Sequence, residues 1–359
     1  MKIGLIGLPL AGKTTLFNLL CDTSAETSRF LSGRKEPNHG MARVPDRRID
    51  WLSALYKPKR TIYAQMETTD LPGLQHGEGS GGNSFLQQIR QVDALVQVVR
   101  AFSMDDIEHV DGTIDPWRDL NNVQAELLLA DLDMIEKRLE RIKTGKKITD
   151  EQKQEMELLA MCRDALEEEK PLATLTFSEA EQAMLIHYGF FTQMPQLIVM
   201  NVDEKQFKDQ SYPHQQEIEQ WASKRGYRVV TLCAAMEEEI AKLPEEDKAL
   251  FMEDLGIEDS GSYRLAREMY ALVGLISFFT VGEDEVRAWT IASGLNAKQA
   301  AGKIHSDLER GFIRAETAAY SDLVEHGSMV KLKEKGLLRL EGKDYPVKDG
   351  DILNIRFNV

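Results

Sequence analysis

The sequence predicts an α/β fold in which a mostly parallel sheet is interrupted by a pair of helices and followed by a small α+β module. Three observations predict it. Short apolar, β-branched runs alternate with helical patterns through the first 115 residues and again from residue 196. A heptad of apolar residues separates those two stretches. Beyond about residue 276 the alternation gives way to closely spaced strands around one short helix.

Each element has its own reason. Lys2 to Ile6 reads as a strand, Lys13 to Leu20 as a helix, Gln65 to Asp70 as a strand, Phe85 to Gln91 as a helix and Ala94 to Val99 as a strand. Gln196 to Met200 and Arg228 to Leu232 continue the series. Strand and helix in turn imply a parallel sheet with helices on both faces.

Between them, Leu128, Leu132, Ile135, Leu139 and Ile142 are spaced as a heptad seam, and Thr144-Gly145 breaks the helix. A second helix presents Leu158, Leu159, Cys162, Ala165 and Leu166 on one face and nears its end at Pro171. Two apolar-striped helices joined by a short turn pair as an antiparallel hairpin. The sustained heptad favours a coiled-coil arm over helices lying flat on the sheet. In the last part, Ser277 to Val281, Arg287 to Ile291 and Ile313 to Ala319 read as strands, and Ala297 to Leu308 as a helix capped by Asn296. Tyr345-Pro346-Val347 reads as a further strand, turned by Asp349-Gly350 into a last strand ending at Val359. The expected division is one domain over residues 1–120 and 193–275, an insertion over 121–192 and a C-terminal domain over 276–359.

Composition narrows the setting. Three widely spaced cysteines, Cys21, Cys162 and Cys233, sit among apolar neighbours, as reduced packed thiols do. No signal peptide opens the chain, and nowhere do about 18 apolar residues run together. A cytoplasmic protein with no membrane partner is expected, most simply a monomer. The net charge of -15 excludes wrapping nucleic acid over the whole surface. Most of that acidity lies before residue 281, because Val281 to Val359 holds 12 Lys/Arg against 13 Asp/Glu.

The chemistry starts at Gly7-Leu8-Pro9-Leu10-Ala11-Gly12-Lys13-Thr14, which matches G-x-x-x-x-G-K-[ST] between a buried strand and an amphipathic helix. The glycines let backbone N–H groups curl around phosphate, and the helix N-terminus adds partial positive charge. Lys13 is placed to neutralise the β- and γ-phosphates, and Thr14 to offer its hydroxyl to Mg²⁺. The α/β domain is therefore expected to be a Ras-like P-loop NTPase sheet.

Asp70-Leu71-Pro72-Gly73 ends a strand, where a D-x-x-G brings its Asp near Mg²⁺ and its Gly amide near the γ-phosphate. Many such hydrolases follow the Gly with a water-orienting Gln. Here Leu74 stands there, with Gln75 and His76 beyond it, so turnover is expected to be slow without a partner. Asn201-Val202-Asp203-Glu204 follows another apolar strand. GTPases carry N-K-x-D at that place, where the Asp accepts hydrogen bonds from guanine. With Val202 and Glu204 in those positions the guanine reader is missing. Cys233-Ala234-Ala235 follows the last sheet strand, where a base-contacting loop is expected.

The order of these motifs resembles the YchF-type Obg-like ATPases. The resemblance covers nearly the whole chain and is densest at Glu285-Val286-Arg287-Ala288-Trp289-Thr290-Ile291, Ala300-Ala301-Gly302-Lys303-Ile304-His305, Gly311-Phe312-Ile313-Arg314-Ala315-Glu316 and Glu341-Gly342-Lys343-Asp344-Tyr345. Those stretches look like that family's TGS domain, a β-grasp fold. The resemblance implies ATP rather than GTP, Mg²⁺ as cofactor, and a ribosome or ribosomal subunit as partner.

It also distributes roles. Leu10, Ala11, Gly12, Lys13, Thr14 and Thr15 would bind the phosphates, and Asn201, Val202, Glu204 and Ala234 the base. Thr14 and Asp70 would hold the metal; Lys13, Gly73 and His109 are the catalytic candidates, His109 by its similarity to the family's own. The plain alternative for His109 is a surface histidine after a strand. Two departures stand out. Arg34 occupies the place of a switch threonine that closes over Mg²⁺, with Ser32 nearby, and the segment from Leu74 to Asn83 is short. A basic cluster, Lys137, Arg138, Arg141, Lys143, Lys146 and Lys147, surrounds the hairpin turn and suggests a contact with ribosomal RNA. Competing readings are a GTPase of the same architecture and a nucleotide-sensing module with negligible hydrolysis.

Overall fold

The structure is a computed structural model and describes residues 1–27, 36–74, 84–104, 107, 109–145, 147–254 and 256–358. The chain begins β1 (Lys2–Ile6), α1 (Lys13–Cys21), β2 (Asn38–Val44), α2 (Arg47–Tyr56), β3 (Arg60–Ile62), β4 (Ala64–Asp70), α3 (Ser84–Ile89) and β5 (Ala94–Arg100). It continues α4 (Pro116–Lys143), α5 (Asp150–Glu167), α6 (Glu179–Leu185), β6 (Gln196–Asn201), α7 (Glu204–Lys208), α8 (Gln215–Lys224), β7 (Arg228–Leu232), α9 (Ala234–Lys242), α10 (Glu245–Asp254) and α11 (Gly261–Leu272). The last part runs β8 (Leu275–Thr280), β9 (Glu285–Ala292), α12 (Ala297–Ile304), α13 (Ser306–Arg310), β10 (Phe312–Ala319), α14 (Tyr320–His326), α15 (Met329–Glu334), β11 (Arg339–Glu341) and β12 (Asp351–Phe357).

Two compact units result, one of residues 1–41 and 67–265, the other of residues 42–66 and 266–359. In the first, the strand order is β2-β4-β1-β5-β6-β7, with β1 parallel to β4 and β5, and β6 parallel to β5 and β7. Every residue of β5 and β6 is buried, as expected of strands covered on both faces. The two buried glutamines of these strands are satisfied by α4. Gln124 Nε2 donates to Gln97 Oε1 at 2.7 Å and to Gln196 Oε1 at 2.8 Å, while Gln97 Nε2 donates to the Leu120 carbonyl.

Helix α4 starts earlier than the predicted insertion. Asp115 caps it, accepting from Arg118 N, and Pro116 fills its first position. Its early turns are built into the sheet core: Leu120 packs with Val99 and Met200, and Val123, Leu127 and Ala130 pack with Ile6, Leu71 and Leu95. The later turns form the predicted seam. Ile135 and Leu139 pack with Leu158, Leu159, Cys162 and Leu166 of α5, and Leu172, Phe177, Leu185 and Phe190 complete that small core. The helical pair is thus backed by its own returning chain. Fully buried Asp131 joins the two, accepting from Phe191 N, Thr192 N and the Thr192 hydroxyl at 2.7–3.0 Å.

At the hairpin end the basic cluster is smaller than its composition suggests. Lys137 pairs with Asp133, and Arg138 makes a two-pronged ion pair with Glu155, both at 2.8 Å. Arg141, Lys143 and Lys147 are exposed. Lys146 lies outside the described residues.

The second unit carries the sheet β11-β10-β12-β8-β9-β3. Strand β12 is antiparallel to β10 and parallel to β8, which is antiparallel to β9. Residues 42–66, assigned above to the first domain, group here because β3 pairs in parallel with β9, Arg60 opposite Glu285. Arg48 of α2 reinforces the grouping, donating to Asp349 Oδ2 at 2.7 Å. Two further expectations are corrected. The helix predicted over 297–308 breaks at His305, whose backbone is extended and whose Nδ1 accepts from Asp307 N to start α13. Tyr345-Pro346-Val347 makes only an isolated bridge, Asn296 with Pro346, because Asn296 is the N-cap of α12 and its chain turns into the helix there.

All three cysteines are free, and burial pushes the Cys21 thiol up to about 12 and the Cys162 thiol up to about 11. Among the described residues no helix is long and apolar enough to cross a membrane.

Candidate nucleotide-binding site

The glycine loop curls between β1 and α1. Gly7 has φ +141°, and a Cβ there would meet the Val98 carbonyl at 2.3 Å. Gly12 has φ +95°, and a Cβ there would meet Asn201 Nδ2 at 2.2 Å. Neither place admits a side chain. Leu10 adopts φ +62°, an unusual conformation for a branched residue that turns the loop before Gly12. Buried Lys13 donates to the carbonyls of Leu8 at 2.7 Å and Gly7 at 3.2 Å. These are loop acceptors, so the ammonium is held at the loop it serves.

Thr14 and Asp70 meet. The Thr14 hydroxyl donates to Asp70 Oδ2 at 2.8 Å, and Asn38 Nδ2 reaches the same oxygen at 3.2 Å. The meeting follows from register, since β4 lies beside β1 with Asp70 opposite Leu5. Gly73 then packs on the loop so closely that a Cβ would lie 2.7 Å from Pro9 N. Leu74 N donates to the Gly7 carbonyl, and its side chain is buried with Ile6, Leu8 and Leu71. Leu74 is a core residue, so no water-orienting group is present there. Gln75, His76, Ser32 and Arg34 lie outside the described residues.

Asn201 does something the motif alone did not reveal. Its Nδ2 donates to the Ala11 carbonyl at 3.0 Å, and its Oδ1 accepts from Ala234 N at 3.0 Å. One buried amide therefore ties the phosphate loop to the loop after β7. Ala11 serves through that carbonyl, and its methyl is outside the cavity lining. Asp203 caps α7, accepting from Gln206 N, while Glu204 beside it is exposed. The nearest aspartate to a guanine reader is thus engaged in holding its own helix.

These residues surround a cavity of about 770 Å³, within the range of small-molecule sites. Leu10, Gly12, Lys13, Thr14, Thr15, Gly73, Asn201, Val202, Glu204 and Ala234 all line it. His109 is not among the residues that line it. Nor is it a surface histidine. Its side chain is 5% exposed and Nε2 sits 2.7 Å from Asp119 Oδ2. Sequence reading missed Phe102, Met104 and Ile107, which form an apolar part of the wall, and Glu238 and Lys242 on α9. Their signal was position: Phe102 lies just past the end of β5 at Arg100, and Glu238 lies about one helical turn beyond the Ala234 loop.

A glycine loop that excludes side chains, an ammonium beside it and a hydroxyl-carboxylate pair at the adjacent strand end define a P-loop nucleotide-binding protein. Residues 2–131 match a family described as "50S ribosome-binding GTPase", and residues 275–358 match the YchF-GTPase C-terminal family, described as "Protein of unknown function (DUF933)". The chain is 44% identical to a Bacillus subtilis protein and 42% identical to one from Escherichia coli O157:H7, each named "Ribosome-binding ATPase YchF". Both matches cover 100% of this chain and at least 99% of the relative. The solved structure of the Schizosaccharomyces pombe YchF GTPase superposes with a TM-score of 0.86 at 32% identity, covering 99% of this chain and 97% of that one. The chain belongs to the YchF family.

Proposed function

We propose that the protein is a Mg²⁺-dependent ATPase whose nucleotide state is read by the ribosome. The observation that carries the reading is the cavity that joins Lys13 and Thr14 at one end to Val202 and Ala234 at the other. On binding, Lys13 exchanges its two loop carbonyls for phosphate oxygens, and the N–H groups around Gly12 face the same charge. Thr14 and Asp70 offer hard oxygen donors, the set Mg²⁺ takes alongside phosphate. Mg²⁺ there would neutralise charge developing on the transferred phosphoryl group. Gly73, pressed on the loop, would present its amide to the γ-phosphate.

ATP is favoured over GTP because Asp203 is committed to α7 and Glu204 replaces the aspartate that accepts from guanine. A polar reader discriminates strongly only when it is present. The relatives' names supply the ribosome as partner. Exposed Arg141, Lys143 and Lys147 at the hairpin turn are the cations offered to its RNA.

Single-turnover phosphate release from ATP, with and without ribosomes, tests the reading. Release is expected in both cases and faster with ribosomes. No release in either would make the protein a nucleotide sensor.

A further inference from the structure

Asn38 reaches the Thr14–Asp70 pair from the edge of the sheet. It is the first residue of β2, which lies beside β4. Two observations seat the strand there. His39 Nδ1 sits 3.1 Å from the hydroxyl of Thr69, the residue before Asp70. Gly40 lets the strand close on α1, since a Cβ there would lie 2.8 Å from both Phe17 Cζ and Cys21 Sγ. Asn38 Nδ2 is thereby brought to 3.2 Å from Asp70 Oδ2.

A carboxylate oxygen accepts, so the nitrogen of the Asn38 amide is the atom that must face it. Asp70 Oδ2 therefore takes two side-chain donors, Asn38 Nδ2 and the Thr14 hydroxyl at 2.8 Å. The second bond decides what Thr14 can do. A hydroxyl has one proton and two lone pairs. With its proton committed to fully buried Asp70, the Thr14 oxygen keeps its lone pairs for a cation. That commitment holds only while Oδ2 stays in place. A carboxylate turns about its terminal bond over a broad range, and the Asn38 amide is a tether that narrows it.

We propose that Asn38 is a positioning residue for Mg²⁺, acting through Asp70 to aim the oxygen of Thr14. This rests on the Mg²⁺-ATP reading above. Hydrogen-bond partners of metal-site groups typically change metal affinity by about 10–100-fold when removed. Phosphate is gripped from another side, by the glycine loop and by Lys13, which the Leu8 and Gly7 carbonyls hold. Loss of Asn38 therefore falls on the metal and spares the metal-free nucleotide.

The test compares wild type, Asn38→Ala and Asn38→Asp in the full chain. Calorimetry measures ATP affinity in EDTA and then over a series of Mg²⁺ concentrations, with melting curves in EDTA as the check on folding. Asn38→Ala is expected to keep its affinity in EDTA and to need about tenfold more Mg²⁺ to tighten ATP. Asn38→Asp keeps the shape of the side chain but loses the N–H donors, so it should do no better than Asn38→Ala. An unchanged Mg²⁺ requirement in Asn38→Ala would overturn the proposal. A lower requirement than wild type in Asn38→Asp would overturn it too, by making position 38 a metal ligand in its own right. Equal losses with and without Mg²⁺ would do the same, by showing general damage. Failure of Mg²⁺ to tighten ATP on wild type would strike the Mg²⁺-ATP reading itself, a distinguishable result.

Discussion

At the scale of single residues, what the sequence displays well is chemistry carried by contiguous letters. Lys13, Thr14 and Asp70 were readable because a glycine loop and a strand-end aspartate are local patterns, and the parallel pairing of β1 with β4 brings them together. Asn201 was readable as a position but not as a clamp, because its partners Ala11 and Ala234 come from two loops distant in the chain. The burial of His109 was hidden for the same reason. Its partner Asp119 lies in the first turn of α4, which starts at Pro116, before the insertion predicted from residue 121. The clamp yields a prediction. A methyl at Gly12 would fall 2.2 Å from Asn201 Nδ2, and the φ of +95° adds strain. Gly12→Ala should weaken ATP binding at least about tenfold, measured by calorimetry, and lower the thermal midpoint through the strain at the loop. Unaltered affinity would show that Asn201 does not organise the loop.

At the scale of elements, periodicity served where an element has one face and failed where it has two. Helix α4 turns Val123 and Leu127 to the sheet core and Ile135 and Leu139 to α5, so the heptad predicted its second half and hid its first. Strand β3 was missed because Arg60 and Thr61 are exposed and only its pairing with β9 makes it a strand. Asp131 secures the join between α4 and the returning chain. Burial pushes its carboxyl from 3.8 up to about 6, against the pull of the Phe191 and Thr192 donors. Between those values the folded protein holds a proton that the unfolded chain has released. That stabilising contribution is full below about pH 4 and is lost as the pH rises through about 6. Asp131→Asn removes it. In denaturant titrations the stability gap between wild type and variant should widen by about 1 kcal/mol from pH 7 to pH 5. A gap independent of pH would contradict the account.

For the whole molecule, the net charge of -15 makes a positively charged feature the part of the surface suited to meet RNA phosphate. Arg141, Lys143 and Lys147 are exposed, whereas Lys137 and Arg138 are held in ion pairs. Reversing the three exposed cations to Glu should weaken co-sedimentation with ribosomes at low salt and flatten its salt dependence. Reversing Lys137 alone should do little. Unchanged co-sedimentation of the triple variant would move the contact elsewhere.

Beneath all of this lies a choice between two purines. Titration of the full chain with ATP and with GTP, at one concentration of Mg²⁺, tests it most directly. The diversion of Asp203 into the α7 cap and the loss of an aspartate at Glu204 predict that ATP binds at least about tenfold more tightly than GTP. Equal or tighter binding of GTP, or no binding of either, would contradict the account.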